Sequence, residues 1–179
     1  MKMKQLFLIL GTLIFLSSCS PTLTPFSQRL YDRYDWSDGE LSKIQFYLSD
    51  DIILQRVLGS QESKINEGRI RIIDGVEVEE VIFKKGTPGV FVFSPKQNRF
   101  GISFEDNDES YLMFGPNPKK GERYVLLAKE WQRERGKVTY KGKIYETSRN
   151  SSFATLMVDL KKAEKNRYRS KTVSGRTIE

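Results

Sequence analysis

Carboxylates are the side chains best placed to do chemistry in this sequence, because it contains no histidine. That absence removes the commonest general base, every Ser-His or Cys-His nucleophile pair and all His-ligated metal centres. The densest acidic group is Glu105-Asp106-Asn107-Asp108-Glu109-Ser110, and oxygen-rich loops of this kind bind calcium. Asp106, Asp108 and Ser110 match the first alternating ligands of an EF-hand loop, but Tyr111 and Asn117 stand where that loop requires glycine and glutamate. The flanking strand pattern makes the cluster a hairpin tip in which Asp and Asn supply the turn. Asp50 and Asp51 offer paired carboxylates for glycoside hydrolysis, yet strand neighbours point to opposite faces, so a turn is the simpler reading. Serine catalysis without histidine needs a lysine base, and no Ser-x-x-Lys occurs in the chain. Gly86-Thr87-Pro88-Gly89 lacks the Gly-Lys-Ser/Thr of a phosphate loop and leads into a strand pattern, which makes it a tight turn. No cofactor, metal site or catalysis is expected from these residues.

The single cysteine points to a different chemistry. Lys2 and Lys4 open the chain, residues 6–16 form the apolar run LFLILGTLIFL, and Ser17-Ser18-Cys19 follow. A run this short falls well below the about 20 residues of a spanning helix and reads as the core of a secretory signal. Leu16-Ser17-Ser18-Cys19 resembles the lipobox of bacterial lipoproteins. The resemblance implies that residues 1–18 are removed and that Cys19 is diacylated on sulfur and acylated on its new amine. Two or more chains, at about 0.8 kcal/mol per buried methylene, anchor stably where one is marginal. In lipoproteins of Gram-negative bacteria an aspartate after the cysteine commonly retains the protein at the inner membrane. Ser20 stands there instead, which implies attachment to the outer membrane.

Charge is distributed unevenly along the expected mature chain. Residues 19–160 balance basic against acidic side chains, whereas residues 161–179 hold Lys161, Lys162, Lys165, Arg167, Arg169, Lys171 and Arg176 against Glu164 and Glu179. A neutral domain therefore precedes a basic tail. Near an anionic surface each Lys or Arg gains about 1 kcal/mol, so phospholipid or lipopolysaccharide phosphates are expected contacts. An acidic patch on another envelope protein suits the tail equally, and nucleic acid is not expected. The stretch Gly115-Pro116-Asn117-Pro118-Lys119-Lys120-Gly121 is a proline-stiffened loop that offers Lys119 and Lys120 as a second partner contact. Trp131, Tyr140 and Tyr145 alternate with cations, but in strands such aromatics are more often packing residues.

These groups need a scaffold, and the hydrophobic period supplies one. Leu, Ile, Val and Phe make up 50 of the 179 residues, enough for a packed core. A lone cysteine leaves no intrachain disulfide, and a chain of this length needs none. Ile44, Phe46 and Leu48 alternate with polar residues, as do Phe100, Ile102 and Phe104. Val90-Phe91-Val92-Phe93 is apolar on both faces and is expected to lie deepest. Asp74-Gly75 marks a hairpin turn, and Ser37 with Glu40 forms a capping-box pattern. The Phe26, Leu30 and Tyr34 spacing suggests a short N-terminal helix. The expected fold is all-β, an antiparallel barrel or sandwich of about nine or ten short strands. The expected organisation is a signal peptide over 1–18, a lipidated tether over 19–36, a β-rich domain over 37–160 and a basic tail over 161–179. As a function this predicts a non-catalytic, membrane-anchored structural or accessory component of an envelope complex. A lipid- or glycan-binding lipoprotein is the first alternative, and a carboxylate-based glycan hydrolase the second.

Overall fold

A computed structural model describes residues 22–59, 69–73 and 75–167. Seven strands form one antiparallel sheet in the order β1 (Thr24–Pro25), β13 (Leu156–Val158), β2 (Gln45–Leu48), β6 (Pro88–Lys96), β7 (Arg99–Ser103), β8 (Tyr111–Asn117) and β9 (Arg123–Leu126). Six form the second sheet in the order β10 (Glu130–Gln132), β11 (Arg135–Tyr140), β12 (Lys143–Thr147), β3 (Ile52–Val57), β5 (Val76–Phe83) and β4 (Arg69–Ile73). The protein is an all-β sandwich, so of the two architectures open from sequence the barrel is excluded. The edges of the seven-stranded sheet nevertheless meet at two isolated bridges, Ser27 with Arg123 and Val125 with Thr155, without a continuous ladder.

Alternation decides which side chains form the core. Ile44, Phe46 and Leu48 are all buried, while Gln45 and Tyr47 between them are not, as period two requires when one face meets a core. Phe100 and Ile102 on β7 and Leu112 and Phe114 on β8 join them, and Ile52, Leu54, Phe83, Val138 and Tyr140 come from the second sheet. Turn chemistry then fixes register. Tyr140 pairs with Lys143 across Lys141 and Gly142, which have φ of 48° and 71°, so both loop residues adopt the left-handed conformation of a type I′ hairpin. Ile73 pairs with Val76, and Gly75 between them has φ 78°. Asp74 lies outside the described residues.

Three expectations are corrected. The strand β6 is not the deepest: Val90 is 40% exposed and Phe93 is half-buried. Alternation with the core-facing Phe91 leaves Val90 on the outer face, and a register shift between Phe91 and Phe93 turns Phe93 outward as well. Phe91 pairs with Ile102 and faces the core, whereas Phe93 pairs with Gly101 and faces outward. The segment read as a tether belongs to the domain from Thr24 onward, because β1 pairs with β13 and both Phe26 and Trp36 are buried. Its helix α1 (Gln28–Tyr34) starts after the N-cap Ser27, whose Oγ accepts from the Leu30 N–H at 3.3 Å, so Phe26 precedes the helix instead of opening it. Finally, the boundary at residue 161 falls inside α3 (Leu160–Arg167). Ala163 is buried there, and the Tyr34 hydroxyl donates to Glu164. The basic segment thus begins as a docked helix. The capping box forms at α2 (Asp38–Leu41), where Glu40 Oε2 accepts from the Ser37 N–H at 3.0 Å.

Burial also shapes the alkaline limit of stability. Burial raises the phenol of Tyr124, and it raises Tyr140 and Tyr145 too, with the carboxylates of Glu105 and Glu79 adding to the respective shifts. The unfolded chain loses these protons near pH 10, while the folded chain holds them to higher pH. Above about pH 10 the unfolded state therefore binds fewer protons, and stability falls as pH rises. Urea titrations between pH 7 and 11.5 are expected to give a flat unfolding free energy up to about pH 9 and a decline beyond it. Tyr140→Phe is expected to shallow that decline, and an unchanged slope would contradict the assignment.

Candidate functional site

The outward turn of Phe93 builds the floor of a cleft. Phe93, Gly101 and Met113 are consecutive cross-strand partners on β6, β7 and β8. A Cβ on Gly101 would stand 2.7 Å from the Phe93 ring, so glycine is what allows the ring to lie down on the sheet. Tyr111 meets Phe93 edge-on, with centroids 4.8 Å apart and planes at 88°. The opposite wall is the chain passing between the two sheets. Leu127 donates its N–H to the Met113 carbonyl at 2.7 Å, and Lys129 donates to the Lys137 carbonyl at 2.8 Å. With Val138 and Thr139 of β11, these segments enclose a cleft of about 420 Å³, within the range of small-molecule sites. Its rim carries Lys96, Arg99, Lys129 and Lys141 against Glu109.

A short network supports one side of that rim. The Tyr140 hydroxyl donates to Glu105, whose other oxygen lies 2.8 Å from Lys141 Nζ. Partial burial alone would raise the Glu105 carboxyl, but the hydrogen bonds from Lys141 and Tyr140 outweigh it and hold the group below its usual range. The rest of the acidic loop is turn structure, as its sequence suggested. Ser103 Oγ donates toward the Asn107 carbonyl at 2.7 Å and sits 3.0 Å from the Ser110 carbonyl, while Asn107 Oδ1 accepts from the Ser110 N–H at 2.8 Å. Among the described residues no cluster of three metal-ligating side chains occurs. Asp51 is likewise held in a turn, accepting from the Lys85 N–H at 2.7 Å and pairing with Lys84 at 3.0 Å. The Lys85 amide, more than the Lys84 side chain, lowers its carboxyl below the usual range.

The expected partner-binding cations that are described fall on two elements, a helix and a 3-10 turn. Lys161 and Lys162 are exposed on the first turn of α3. The backbones of Lys165 and Arg167 continue that helix, whereas Cys19, Arg169 and Lys171 lie outside the described residues. Lys119 is exposed on the 3-10 turn η1 (Pro118–Lys120), but Lys120 is engaged. Its Nζ donates to the Ser152 carbonyl at 2.6 Å and lies 4.7 Å from the Phe153 ring, which is itself 52% exposed. Arg29 and Arg123 line the same groove. Tyr140 and Tyr145 are packing residues, and Trp131 is partly exposed on β10 over Gly136, as its register with that glycine dictates.

Sequence reasoning missed the cleft itself. Its cations come from separate segments, and no local pattern links Lys96 and Arg99 to Lys129 and Lys141. The available signal was Tyr111 and Met113 alternating with the core residues Leu112 and Phe114, which marks a strand whose outer face is also apolar. No protein-family model, curated protein or solved structure matches this chain.

Proposed function

We propose that this chain is a bacterial lipoprotein, anchored through Cys19 to the outer membrane, that acts without catalysis as an accessory component of an envelope complex. The observation that carries this reading is the register of β1 on β13. Thr24 pairs with Val158, so β1 is entered and β13 is left at the same end of the sandwich, and Lys161 and Lys162 follow Val158 by three and four residues. Cys19 precedes Thr24 by five residues, a reach of at most about 18 Å. An anchored amino end therefore holds Lys161 and Lys162 near the lipid headgroups, where their charge contributes most. The carboxylate-pair alternative is less well supported, because among the described residues lining the cleft Glu109 is the sole carboxylate and glycoside hydrolysis uses two.

In cells supplied with labelled palmitate, label is expected on the full chain and not on Cys19→Ser, with the variant moving to the soluble fraction. Unlabelled wild-type chain, or a Cys19→Ser variant still sedimenting with membranes, would refute the anchor. Intact-cell crosslinking is expected to capture one stoichiometric protein partner, and its absence would refute the accessory role. For the basic segment, the informative cut is after Arg167, which spares the docked helix and removes Arg169, Lys171 and Arg176. With about 1 kcal/mol for each lost cation, the shortened Cys19→Ser chain is expected to bind phosphatidylglycerol vesicles roughly 100-fold more weakly at low salt.

A further inference from the structure

We infer that the cleft over Gly101 is a binding site for an amphipathic anion, an acyl chain carrying a phosphate or carboxylate head. The inference does not depend on the anchor proposed above. Its first support is the way the floor is built. Continued alternation along β6 would send Phe93 inward behind Phe91, but the register shift turns it onto the outer face, opposite Gly101. Bulges that re-aim a side chain in this way concentrate beside functional sites. The result is an apolar floor of Phe93, Tyr111 and Met113, with the flexible thioether able to adapt to a chain of varying shape.

Charge supplies the second support. The rim carries four cations against one carboxylate, and only Lys141 has an assigned ion-pair partner there, Glu105. Among the described residues Lys96, Arg99 and Lys129 are exposed and form no salt bridge. Cations at the mouth of a low-dielectric cleft focus a field that favours an anion. An apolar ligand alone leaves those cations unused, and a free inorganic anion leaves the Phe93 and Met113 surface wet. A molecule with both parts satisfies both. The cleft volume of about 420 Å³ suits one small ligand or one chain, not a folded protein element.

The test uses the full chain in phosphatidylcholine nanodiscs and a dodecyl phosphate bearing a diazirine in its chain. Photolabelling is expected on the peptides holding Phe93, Tyr111 and Met113. Dodecyl phosphate and laurate should compete with it, while inorganic phosphate and dodecyl maltoside should not. Arg99→Glu with Lys129→Glu is expected to weaken the competition constant at least about tenfold, the worth of one charge-assisted hydrogen bond. Both positions are exposed, and a thermal melt checks that the double variant remains folded. Equal competition by dodecyl maltoside would reduce the cleft to an apolar surface, and equal competition by inorganic phosphate would reduce it to an anion patch. Either result, or affinity unchanged by the charge reversal, overturns the inference.

Discussion

Replacing Phe26 with alanine is expected to lower the unfolding free energy by about 3–5 kcal/mol. Phe26 is 0% exposed and touches rings from five places in the sequence. Trp36 stacks on it at 5.9 Å, Phe46 and Tyr124 meet it edge-on at 5.2 and 4.9 Å, and Phe100 and Tyr31 lie at 5.8 and 6.4 Å. Its backbone does a second job. The Phe26 N–H donates to Leu156 on β13, and its carbonyl accepts from Tyr124 on β9, so this residue bridges the two edges of the seven-stranded sheet. Alanine keeps those backbone bonds and removes the ring around which the edges close. Neighbouring rings are tied to separate strands and cannot all collapse into the space, which places the expected loss at the upper end for a large-to-small change. A domain of this size has about 5–15 kcal/mol in total, so the loss is a substantial share of it. Urea unfolding followed by circular dichroism and by the fluorescence of Trp36 measures it. A change below about 1 kcal/mol would mean that the cluster repacks freely.

The position of Phe26 explains why the sequence conceals part of this fold. Two prolines, Pro21 and Pro25, flank Thr22-Leu23-Thr24, a short stretch that reads as a linker. Pro25 nevertheless sits in β1, an edge strand, where a missing N–H is tolerated. The contact that makes the segment part of the domain is a backbone pairing across more than 130 residues, and no local period reports such a pairing. Ala163 is hidden for a similar reason. One alanine among Lys161, Lys162 and Lys165 carries too little apolar surface to signal a docked helix. Ile44, Phe46 and Leu48 were legible because one face of their strand meets a core throughout. Ile70 and Ile72 have the same alternation, yet Ile72 is 76% exposed, because β4 is the edge of the six-stranded sheet. Periodicity reports which side chains share a face but not whether another layer covers it. The cleft needs still more: a register shift in β6, a glycine across from it, and cations drawn from separate segments.

Burial also decides which charge pairs carry stability, and Arg56→Ala is expected to remove about 3–5 kcal/mol because it leaves a buried carboxylate without its partner. Arg56 and Glu79 stand directly opposite each other on β3 and β5. The guanidinium donates twice to Glu79 Oε2, at 2.9 and 3.2 Å, and its carbon lies 5.9 Å from the Tyr145 ring. Their side chains are only 16% and 4% exposed. The next residue, Glu80, faces the other side of the sheet and is held by Gln55 at 2.9 Å and Arg71 at 3.2 Å, so adjacent carboxylates are each matched on their own face. The pair formed by Lys84 and Asp51 has a comparable 3.0 Å separation, but its side chains are 70% and 38% exposed. Water screens that pair, and Lys84→Ala is expected to change stability by about 0–1 kcal/mol. A double variant, Arg56→Met with Glu79→Met, is expected to return to within about 1 kcal/mol of the parent, because removing both charges also removes the desolvation that each requires. A double-mutant cycle in urea separates these terms. If Arg56→Ala loses no more than Lys84→Ala, the Glu79 carboxylate is solvated, and the β3–β5 ladder owes its stability to the apolar pairs Ile52–Phe83 and Leu54–Val81 instead.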